Sequence, residues 1–332
     1  MAGSKETQRI EESLELQEID QNIFRSIKLW KFTRGVGAFG GNIIAQAAHA
    51  ATKTVQVGYH LHSLHCYFIS FGDVEIPTGI IYLVDRIRDG KSYATRSVKA
   101  IQRSRCIFTL LISFHKPEIN QAVLQNKIDL SRIPPPEDCQ PVETRLQNYV
   151  NENLDSIKPK MLEYLQREIE ENKLNAIEHR NTRSKRFDQS SNYETSSVLL
   201  LSQYYIFSRG MNGNILVSIS SQNPIRSSVP EASTGVCIRL SIYWYYWQSY
   251  GFELDRWTQN VDVGLTRSLH SWYEFEVSEW MLYKMEAEAG KEGRGLVIGR
   301  IYTRDGRLIA VCTQEGVVRV EPETTSKVVP KL

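Results

Sequence analysis

Residues 35–55 read GVGAFGGNIIAQAAHAATKTV, and this stretch decides the fold. An alanine-rich apolar run from Ile43 to Ala51 follows a set of glycines, namely Gly35, Gly37, Gly40 and Gly41. Glycine gives the backbone the freedom that a tight turn needs, and an apolar run directly after such a turn is typical of a helix start. The stretch therefore predicts a buried helix whose amino terminus is a glycine turn.

Four runs rich in β-branched and aromatic residues follow the predicted helix. They are LHSLHCYFIS (61–70), GIIYLVDRIRDG (79–90), KSYATRSVKAIQRS (91–104) and RCIFTLLISF (105–114). Gly-Asp, Asp-Gly and Arg-Ser turns separate these runs, which is the pattern of an antiparallel meander. One helix followed by four strands predicts a compact α+β unit.

Residues 116–195 differ in composition from this unit. A PPPE turn at 134–137 precedes a stretch dominated by Glu, Asn, Lys and Arg. Apolar residues recur there at helical spacing, in the two sets Leu146, Val150, Leu154 and Met161, Leu165, Ile169. This spacing predicts a charged connector that contains amphipathic helices.

Strand-like sequence returns at Ser196 and shows similarity to the first half. At an offset of 201 residues the matched pairs are Tyr82 with Tyr283, Lys99 with Arg300, Arg103 with Arg304, Ile107 with Leu308, Phe108 with Ile309 and Leu110 with Val311. A second anchor sets Leu64-His65 against Leu269-His270 at an offset of 205, and one turn absorbs the difference. We interpret this similarity as an internal duplication. The segment CIRLSIYWYYWQSY (237–250) is then a second central helix or a strand, because periodicity does not separate the two.

Length and charge exclude several classes of protein. The chain has 332 residues, enough for two domains, and 40 Lys plus Arg balance 38 Asp plus Glu, which gives a formal net charge of +2. We therefore expect no broad cationic face for nucleic acid. No apolar run reaches the roughly 18 residues of a membrane span, and the polar amino terminus resembles neither a signal peptide nor a transit peptide.

The cysteine and histidine patterns argue against a metal centre. The five cysteines, Cys66, Cys106, Cys139, Cys237 and Cys312, are widely spaced and form no CxxC pair, which predicts a reducing compartment. A strand places His60 and His62 on one face and His65 on the other, so these three side chains cannot share a metal ion. We expect neither a metal nor a cofactor.

Five segments together resemble the type II acyl-CoA thioesterases, the family of bacterial thioesterase II and the peroxisomal acyl-CoA thioesterases. They are FGGNIIAQAAHAA (39–51), HSLHCYFISFGD (62–73), RDGKSYATRSVKAIQ (88–102), EWMLYKMEAE (279–288) and GRGLVIGRIYTRDGRLIAVCTQEGVVRV (293–320). The resemblance implies an α+β double hotdog fold, in which two antiparallel sheets each wrap around a central helix. It also implies that the protein hydrolyses acyl-CoA to a free carboxylic acid and CoA.

The resemblance further implies the domain organisation. We expect an N-terminal hotdog domain over residues 20–118 and a charged helical linker over 119–195. A C-terminal hotdog domain follows over 196–320, and residues 321–332 form a tail with a possible peroxisomal signal.

The family holds a water molecule with an Asp, a Ser or Thr hydroxyl and a Gln of the second hotdog. The family's QEG segment corresponds here to Gln314, Glu315 and Gly316, so the resemblance implies that Gln314 is catalytic. The hydroxyl segment corresponds to residues 266–273, where an alignment without gaps selects Thr266 and an alignment with one gap selects Ser268. Both residues share one face of a strand, and the choice stays open.

The family's aspartate has no counterpart in this sequence. The matching segment, residues 237–250, contains no carboxylate, and the alignments reach Trp244 or Ser249. Glu253 and Asp255 are the nearest acids. A neutral residue cannot act as a general base, so either another acid substitutes or hydrolysis is impaired.

Three further residues are expected to contact the substrate. The backbone N–H groups of Gly40 and Gly41 at a helix amino terminus can bind a phosphate or a thioester oxygen, although close packing of helix against sheet explains the same glycines. His65 is expected at the edge of the substrate cleft.

The sequence thus leaves two classes of function. The first is an acyl-CoA thioesterase, for which a specialised pathway such as fungal secondary metabolism is one candidate setting. The second is a non-hydrolytic acyl-CoA-binding or scaffold protein that has lost the acid. We expect a homo-oligomer, because hotdog sheets commonly extend edge to edge. The final residues Pro330-Lys331-Leu332 resemble a peroxisomal address, so we expect an import receptor as partner and the peroxisome as location, with the cytoplasm as the alternative.

Overall fold

The structure is a computed structural model that describes most of the first half of the chain and selected strands of the second. The described residues are 14–29, 37–173 apart from 119, 126, 132, 134, 156 and 158, then 177–181, 194–201, 214–215, 239–240, 264–271, 280–292 and 294–317. All structural statements below refer to these residues.

The predicted first helix is confirmed. Helix α1 spans Gly40–Thr52, and Phe39 precedes it in an extended conformation. Almost every side chain of the helix is buried, including all of its alanines. Small side chains let the helix lie close to the sheet on several sides, which is why the alanine-rich run occupies the centre of this half.

Six strands form the sheet of the first half. They are β1 (Leu16–Asp20), β2 (Ile23–Ser26), β3 (His60–Phe68), β4 (Ile81–Asp89), β5 (Tyr93–Gln102) and β6 (Arg105–His115). Their spatial order is β1-β2-β4-β5-β6-β3, and neighbouring strands pair antiparallel. The predicted meander is therefore correct for β4 to β6 and wrong for β3, which pairs with β6. The N–H groups of Ile69 and Ser70 both donate to the carbonyl of Ile107, so the chain leaving β3 stays beside β6 before it crosses to β4.

The second half repeats this arrangement. Its strands are β7 (Ile177–Asn181), β8 (Glu194–Leu201), β11 (Gly264–Ser271), β12 (Met281–Lys291), β13 (Arg294–Thr303) and β14 (Leu308–Val317), in the order β11-β14-β13-β12-β8-β7. Two short strands, β9 (Asn214–Ile215) and β10 (Arg239–Leu240), pair separately. Apart from β10, the segment 237–250 lies outside the described residues, and so does the tail 321–332.

Strands β3 and β11 join the two halves into one twelve-stranded sheet. Leu64 lies directly opposite Leu269, and the flanking pairs are reciprocal, His65 with Ser268 and Ser63 with His270. The segment around Leu64 therefore pairs with the segment around Leu269, which is its counterpart in the internal duplication. This pairing places a pseudo-twofold axis between the two leucines. Together with the mirrored strand order, this pairing supports the internal duplication.

The linker region contains two helices and part of the sheet. Helices α2 (Val142–Asn153) and α3 (Pro159–Lys173) pack through a small cluster that includes Val150, Leu165 and Ile169. Leu154, expected on the same apolar face, is exposed. Strand β7 and the start of β8 also fall within residues 119–195, and β1 begins before residue 20. None of the described helices is long and apolar enough to cross a membrane.

A fully buried arginine fixes the carboxyl end of helix α1 to the sheet. The Arg96 guanidinium donates to the hydroxyl of Thr54 at 2.8 Å, to the Thr54 carbonyl at 3.0 Å and to the Arg88 carbonyl at 2.9 Å. It also pairs with the carboxylate of Asp89, whose side chain is 57% exposed. A cation at a helix carboxyl terminus is favourable, and here each contact also satisfies a buried group.

We predict that Arg96→Met lowers the free energy of unfolding by about 3 kcal/mol, because it leaves the buried hydroxyl and carbonyl of Thr54 and the part-buried carbonyl of Arg88 without their donor. Asp89→Asn keeps an acceptor at the exposed end of the network and is expected to cost less than about 1 kcal/mol. Chemical denaturation of both variants measures the difference. Equal losses would contradict the interpretation that the backbone contacts of Arg96, rather than its ion pair, hold the helix.

Candidate active site

One row of directly opposed residues crosses the sheet from the first half into the second. Directly opposed residues occupy the same face of an antiparallel ladder, and here that face carries helix α1. In spatial order the row is Val84, Val98, Leu110, Cys66, Arg267, Gln314, Val297 and Ala287. Among its members in the first half, Val84, Val98, Leu110 and Cys66 are buried, as is Val297 on the other side of Gln314.

Gln314 and its register neighbour Arg267 interrupt this otherwise apolar row. Gln314 is only 1% exposed, and its Oε1 atom has no hydrogen-bond partner in the described part of the chain. A buried acceptor without a partner costs roughly 1–3 kcal/mol, so folds rarely keep one without a functional reason. The position that the family resemblance selected is thus also unusual on physical grounds.

A second buried glutamine shows the contrast. Gln46, on helix α1, accepts a hydrogen bond from the Tyr82 hydroxyl at 2.8 Å and donates to the Lys28 carbonyl at 2.8 Å. Burial raises the pKa of Tyr82 well above its usual value, which keeps this hydroxyl a donor. Gln46 is a satisfied structural residue, whereas the Gln314 acceptor remains available for a bound molecule.

The strand register separates the two hydroxyl candidates from Gln314. Gln314 pairs with Arg267, while Thr266 pairs with Glu315 and Ser268 pairs with Thr313. Positions 266 and 268 therefore belong to the other face of the ladder. The pairing slips between Gly264 and Thr266, so position 264 pairs with Gly316 on the Gln314 face. Thr266 thus lies next to the bulge, and Ser268 lies within the regular ladder.

The glycine turn lies near the same row, on the helix side of the sheet. A Cβ added at Gly40 would lie 3.0 Å from the ring of Phe68, which follows Cys66 by two residues in β3. A Cβ added at Gly41 would lie 2.6 Å from the ring of Phe39. Close aromatic packing therefore accounts for both glycines, and it brings the start of helix α1 over the end of β3.

His65 lies on the opposite face from this turn. It is exposed between the buried residues Leu64 and Cys66, and its register partners are Ser268 and Leu111. The structure therefore groups His65 with the hydroxyl candidates and Gly40 with Gln314. The described residues contain no group of His, Cys, Asp or Glu side chains arranged to hold a metal ion.

The positions proposed for the missing acid, Trp244, Ser249, Glu253 and Asp255, lie outside the described residues. Sequence reasoning did not place Cys66, which forms no disulfide, in the Gln314 row two strands away. The alternation of buried and exposed residues along β3 shows that Cys66 faces helix α1. Only the pairing of β3 with β11 connects that face to Gln314.

Two family models match the chain. The model described as acyl-CoA thioesterase N-terminal domain matches residues 28–115, and the model described as acyl-CoA thioesterase C-terminal domain matches residues 227–318. Together they cover more than half of the chain, and each falls on one half of the twelve-stranded sheet.

Two relatives of similar sequence align with most of the chain, and a third aligns with about a quarter of it. The human protein named acyl-coenzyme A thioesterase 8 is 29% identical over 316 residues, which is 94% of this chain and 89% of that protein. Acyl-CoA thioesterase 2 of Haemophilus influenzae is 29% identical over 306 residues, 92% of this chain and 95% of that protein. Peroxisomal acyl-coenzyme A thioester hydrolase 1 of Saccharomyces cerevisiae is 38% identical over 78 residues, 24% of this chain and 22% of that protein.

Solved structures confirm the fold. The acyl-CoA thioesterase II TesB2 of Mycobacterium marinum superposes with a TM-score of 0.62 at 23% identity, covering 95% of this chain and 99% of that one. A protein from Alicyclobacillus acidocaldarius described as having a hot dog fold superposes with a TM-score of 0.57 at 15% identity, covering 93% and 97%. The predicted α+β double hotdog fold is therefore correct.

We predict that Gln314→Leu raises the free energy of unfolding by about 1–3 kcal/mol, since it replaces an unpartnered buried amide with an apolar group of similar size. Chemical denaturation measures the change, and Gln46→Leu is the matched control. That control should destabilise the protein, because it removes the partners of Tyr82 and Lys28. A Gln314→Leu protein less stable than the wild type would mean that the amide is satisfied and structural.

Proposed function

Because the chain belongs to the type II acyl-CoA thioesterase family, we propose that it hydrolyses acyl-CoA with a water molecule oriented by Gln314. The observation that carries the proposal is the Oε1 of Gln314, which is buried and has no hydrogen-bond partner in the described part of the chain, in a row that is apolar apart from Arg267. This acceptor lies within the segment matched by the C-terminal family domain.

The chemistry requires that a water be held beside the thioester carbonyl and that a base accept its proton; Gln314 can supply only the first. The Gln314 Oε1 accepts one hydrogen bond from that water and so directs an oxygen lone pair toward the carbonyl carbon. Water oxygen adds to the carbon, the carbon–sulfur bond breaks, and the sulfur leaves with a proton as free CoA. Val297, the buried apolar neighbour of Gln314 in the ladder, helps to exclude other water, which strengthens the hydrogen bond to the amide.

We assign the hydroxyl of the site to Thr266 in preference to Ser268. Thr266 lies beside the bulge at which the β11–β14 pairing shifts by one residue. At a bulge the side chains of a strand can be redirected from one face of the sheet toward the other. Ser268 pairs regularly with Thr313 and His65 on the outer side, so its route to the Gln314 face is longer.

The absence of a carboxylate from residues 237–250 favours a second candidate function. Without a base the fold would bind acyl-CoA and leave the thioester intact, as a binding or scaffold protein. Loss of one acid–base group typically removes about 10²–10⁴-fold of rate, so hydrolysis would be slow rather than absent if Glu253 or Asp255 did not substitute.

The decisive experiment measures both binding and thiol release for the full chain. We expect release of free CoA from a panel of acyl-CoAs of short, medium, long and branched chains, with a preference that also identifies the acyl group used in the cell. Gln314→Ala should lower kcat/KM by about 10²-fold or more, and Thr266→Ala should lower it more than Ser268→Ala. Thr313→Ala, one residue away on the opposite face, is the matched control.

Each result has a distinct meaning. Tight binding of acyl-CoA without thiol release would establish the binding protein in place of the hydrolase. A many-fold gain of hydrolysis in Ser249→Asp or Trp244→Asp would identify a thioesterase weakened at its acid. Unchanged hydrolysis in Gln314→Ala would place the activity elsewhere.

The cellular setting is a separate part of the proposal. The yeast relative is peroxisomal by name, and the Pro-Lys-Leu ending resembles a peroxisomal address, so we place this protein in the peroxisome with the import receptor as partner. Its acyl substrate then comes from lipid metabolism or from a specialised pathway such as fungal secondary metabolism, and the acyl-CoA panel separates these.

A fluorescent protein fused to the amino terminus tests the location. We expect the fusion to accumulate in peroxisomes when residues 330–332 are free, and in the cytoplasm when a short polar extension follows Leu332, because the receptor reads a free carboxyl end. Cytoplasmic fluorescence of both fusions would favour the cytoplasm as the location.

A further inference from the structure

The two halves of the sheet differ at three neighbouring positions on the side that faces helix α1. The internal duplication and the strand pairing together give the correspondence between these positions. Each large apolar residue of the first half is replaced in the second half by a residue that is smaller or polar. The three residues are Val98, Leu110 and Ile112 in the first half and Gly299, Cys312 and Gln314 in the second.

A buried tyrosine beside these positions makes different contacts in the two halves. Tyr82 on β4 and Tyr283 on β12 correspond to each other, and both are buried. In the first half the Tyr82 hydroxyl donates to the side chain of Gln46 on helix α1 at 2.8 Å. In the second half the Tyr283 hydroxyl lies 3.6 Å from the sulfur of Cys312. The second tyrosine therefore contacts strand β14, which carries Gln314.

Gly299 gives the Tyr283 hydroxyl the space for this contact. A Cβ added at Gly299 would lie 2.2 Å from the Tyr283 hydroxyl oxygen, far inside the normal contact distance. A valine at this place, like Val98 in the first half, would occupy the space of the hydroxyl. The exchange of valine for glycine between the halves thus accounts for the contact of Tyr283 with β14.

Two hydrogen bonds fix the direction of the Cys312 thiol. The sulfur donates to the Gly299 carbonyl at 3.4 Å. Because the thiol has one proton, the Tyr283 hydroxyl is the donor in the 3.6 Å contact and the sulfur is the acceptor. Cys312 is also buried, so neither bond competes with solvent. These contacts hold the thiol beside the neighbouring strand β13.

The thiol is a neighbour of the Gln314 amide. Gln314 follows Cys312 by two residues on the same face of β14, which corresponds to about 6.7 Å along the strand. The Gln314 Oε1 has no hydrogen-bond partner in the part of the chain that the structure describes, so packing must set its direction. Val297 is the neighbour across the ladder, and Cys312 is the neighbour along the strand. A thiol free to rotate would leave one side of the amide without support.

We propose that Tyr283 is a positioning residue for hydrolysis. Its hydroxyl fixes the Cys312 thiol, and the thiol holds the Gln314 amide in the direction that orients the attacking water. This role of Tyr283 rests on the proposed function of Gln314. The amide acts on the water and not on the bound acyl-CoA, so loss of the hydroxyl lowers kcat and leaves KM unchanged. A small displacement of a positioned group is sufficient for a large loss of rate.

A comparison of Tyr283→Phe with Tyr82→Phe tests this role in the full chain. Each variant removes one hydroxyl from a buried tyrosine, so both are expected to lower the free energy of unfolding. We expect Tyr283→Phe to lower kcat about 10-fold or more at unchanged KM, and Tyr82→Phe to change neither constant. Release of free CoA over a range of acyl-CoA concentrations measures both constants, and chemical denaturation measures the stability.

Further variants test whether the effect passes through Cys312 and Gln314. Cys312→Ser keeps an acceptor for the Tyr283 hydroxyl and should retain most of the activity, whereas Cys312→Ala should reproduce the loss seen in Tyr283→Phe. In a Gln314→Ala background, Tyr283→Phe should lower kcat no further, because the two residues act as one unit. If Tyr283→Phe does not fold, the two Cys312 variants provide the same test.

The contrary outcomes separate this role from the function of Gln314. Equal losses of kcat in Tyr283→Phe and Tyr82→Phe would overturn the positioning role and leave the function of Gln314 intact. A further loss of kcat on adding Tyr283→Phe to Gln314→Ala would do the same. Unchanged hydrolysis in Gln314→Ala, or a wild type that releases no thiol, would overturn the proposed function and the role of Tyr283 with it.

Discussion

The antiparallel ladder between β3 and β11 is the interaction on which the rest of the structure depends. It satisfies the backbone groups of two long strands that would otherwise be open edges, and it fixes the register of one half against the other. Because Cys66 lies opposite Arg267, and Arg267 opposite Gln314, the helix-facing row of the first half continues into the second. The site around Gln314 therefore has walls from both halves, although its one distinctive residue comes from the second.

The duplication has distributed polar residues unequally between the halves. At the offset of 201 residues Arg96 corresponds to Val297, and their neighbours in the ladder are Ile112 and Gln314. At this position of the first half the buried polar residue is Arg96, whose donors are engaged with backbone and side-chain acceptors. In the second half the buried polar residue is Gln314, whose acceptor is free within the described chain. The first half thus satisfies its buried polar side chain internally, whereas the second leaves the acceptor that we propose for the catalytic water.

The sequence was sufficient for the elements that follow from local pattern. The glycine turn and alanine run predicted helix α1, alternation predicted β3 to β6, and the QEG motif selected Gln314, an assignment that now has independent physical support in its burial. The position of β3 was not predictable, because alternation identifies a strand but not its neighbour. His65 and Gly40 were both expected to contact the substrate, whereas the fold places Gly40 on the helix side of the sheet and His65 on the opposite side.

The face of the sheet on which the two hydroxyl candidates lie could not be predicted from the sequence. Side chains alternate with a period of two, so a change of one residue in pairing exchanges the two faces of a strand. Strand β11 contains such a change between Gly264 and Thr266. Gly264 and Ser268 are an even number of residues apart, yet the change in pairing places them on opposite faces of the sheet. A sequence alignment does not detect this exchange of faces, because a bulge adds one residue to the strand and no sequence pattern identifies that residue. The choice between Thr266 and Ser268 therefore depends on the pairing of β11 with β14 and not on the alignment. The bulge beside Thr266 is the local feature that gives the two hydroxyls different access to the Gln314 face.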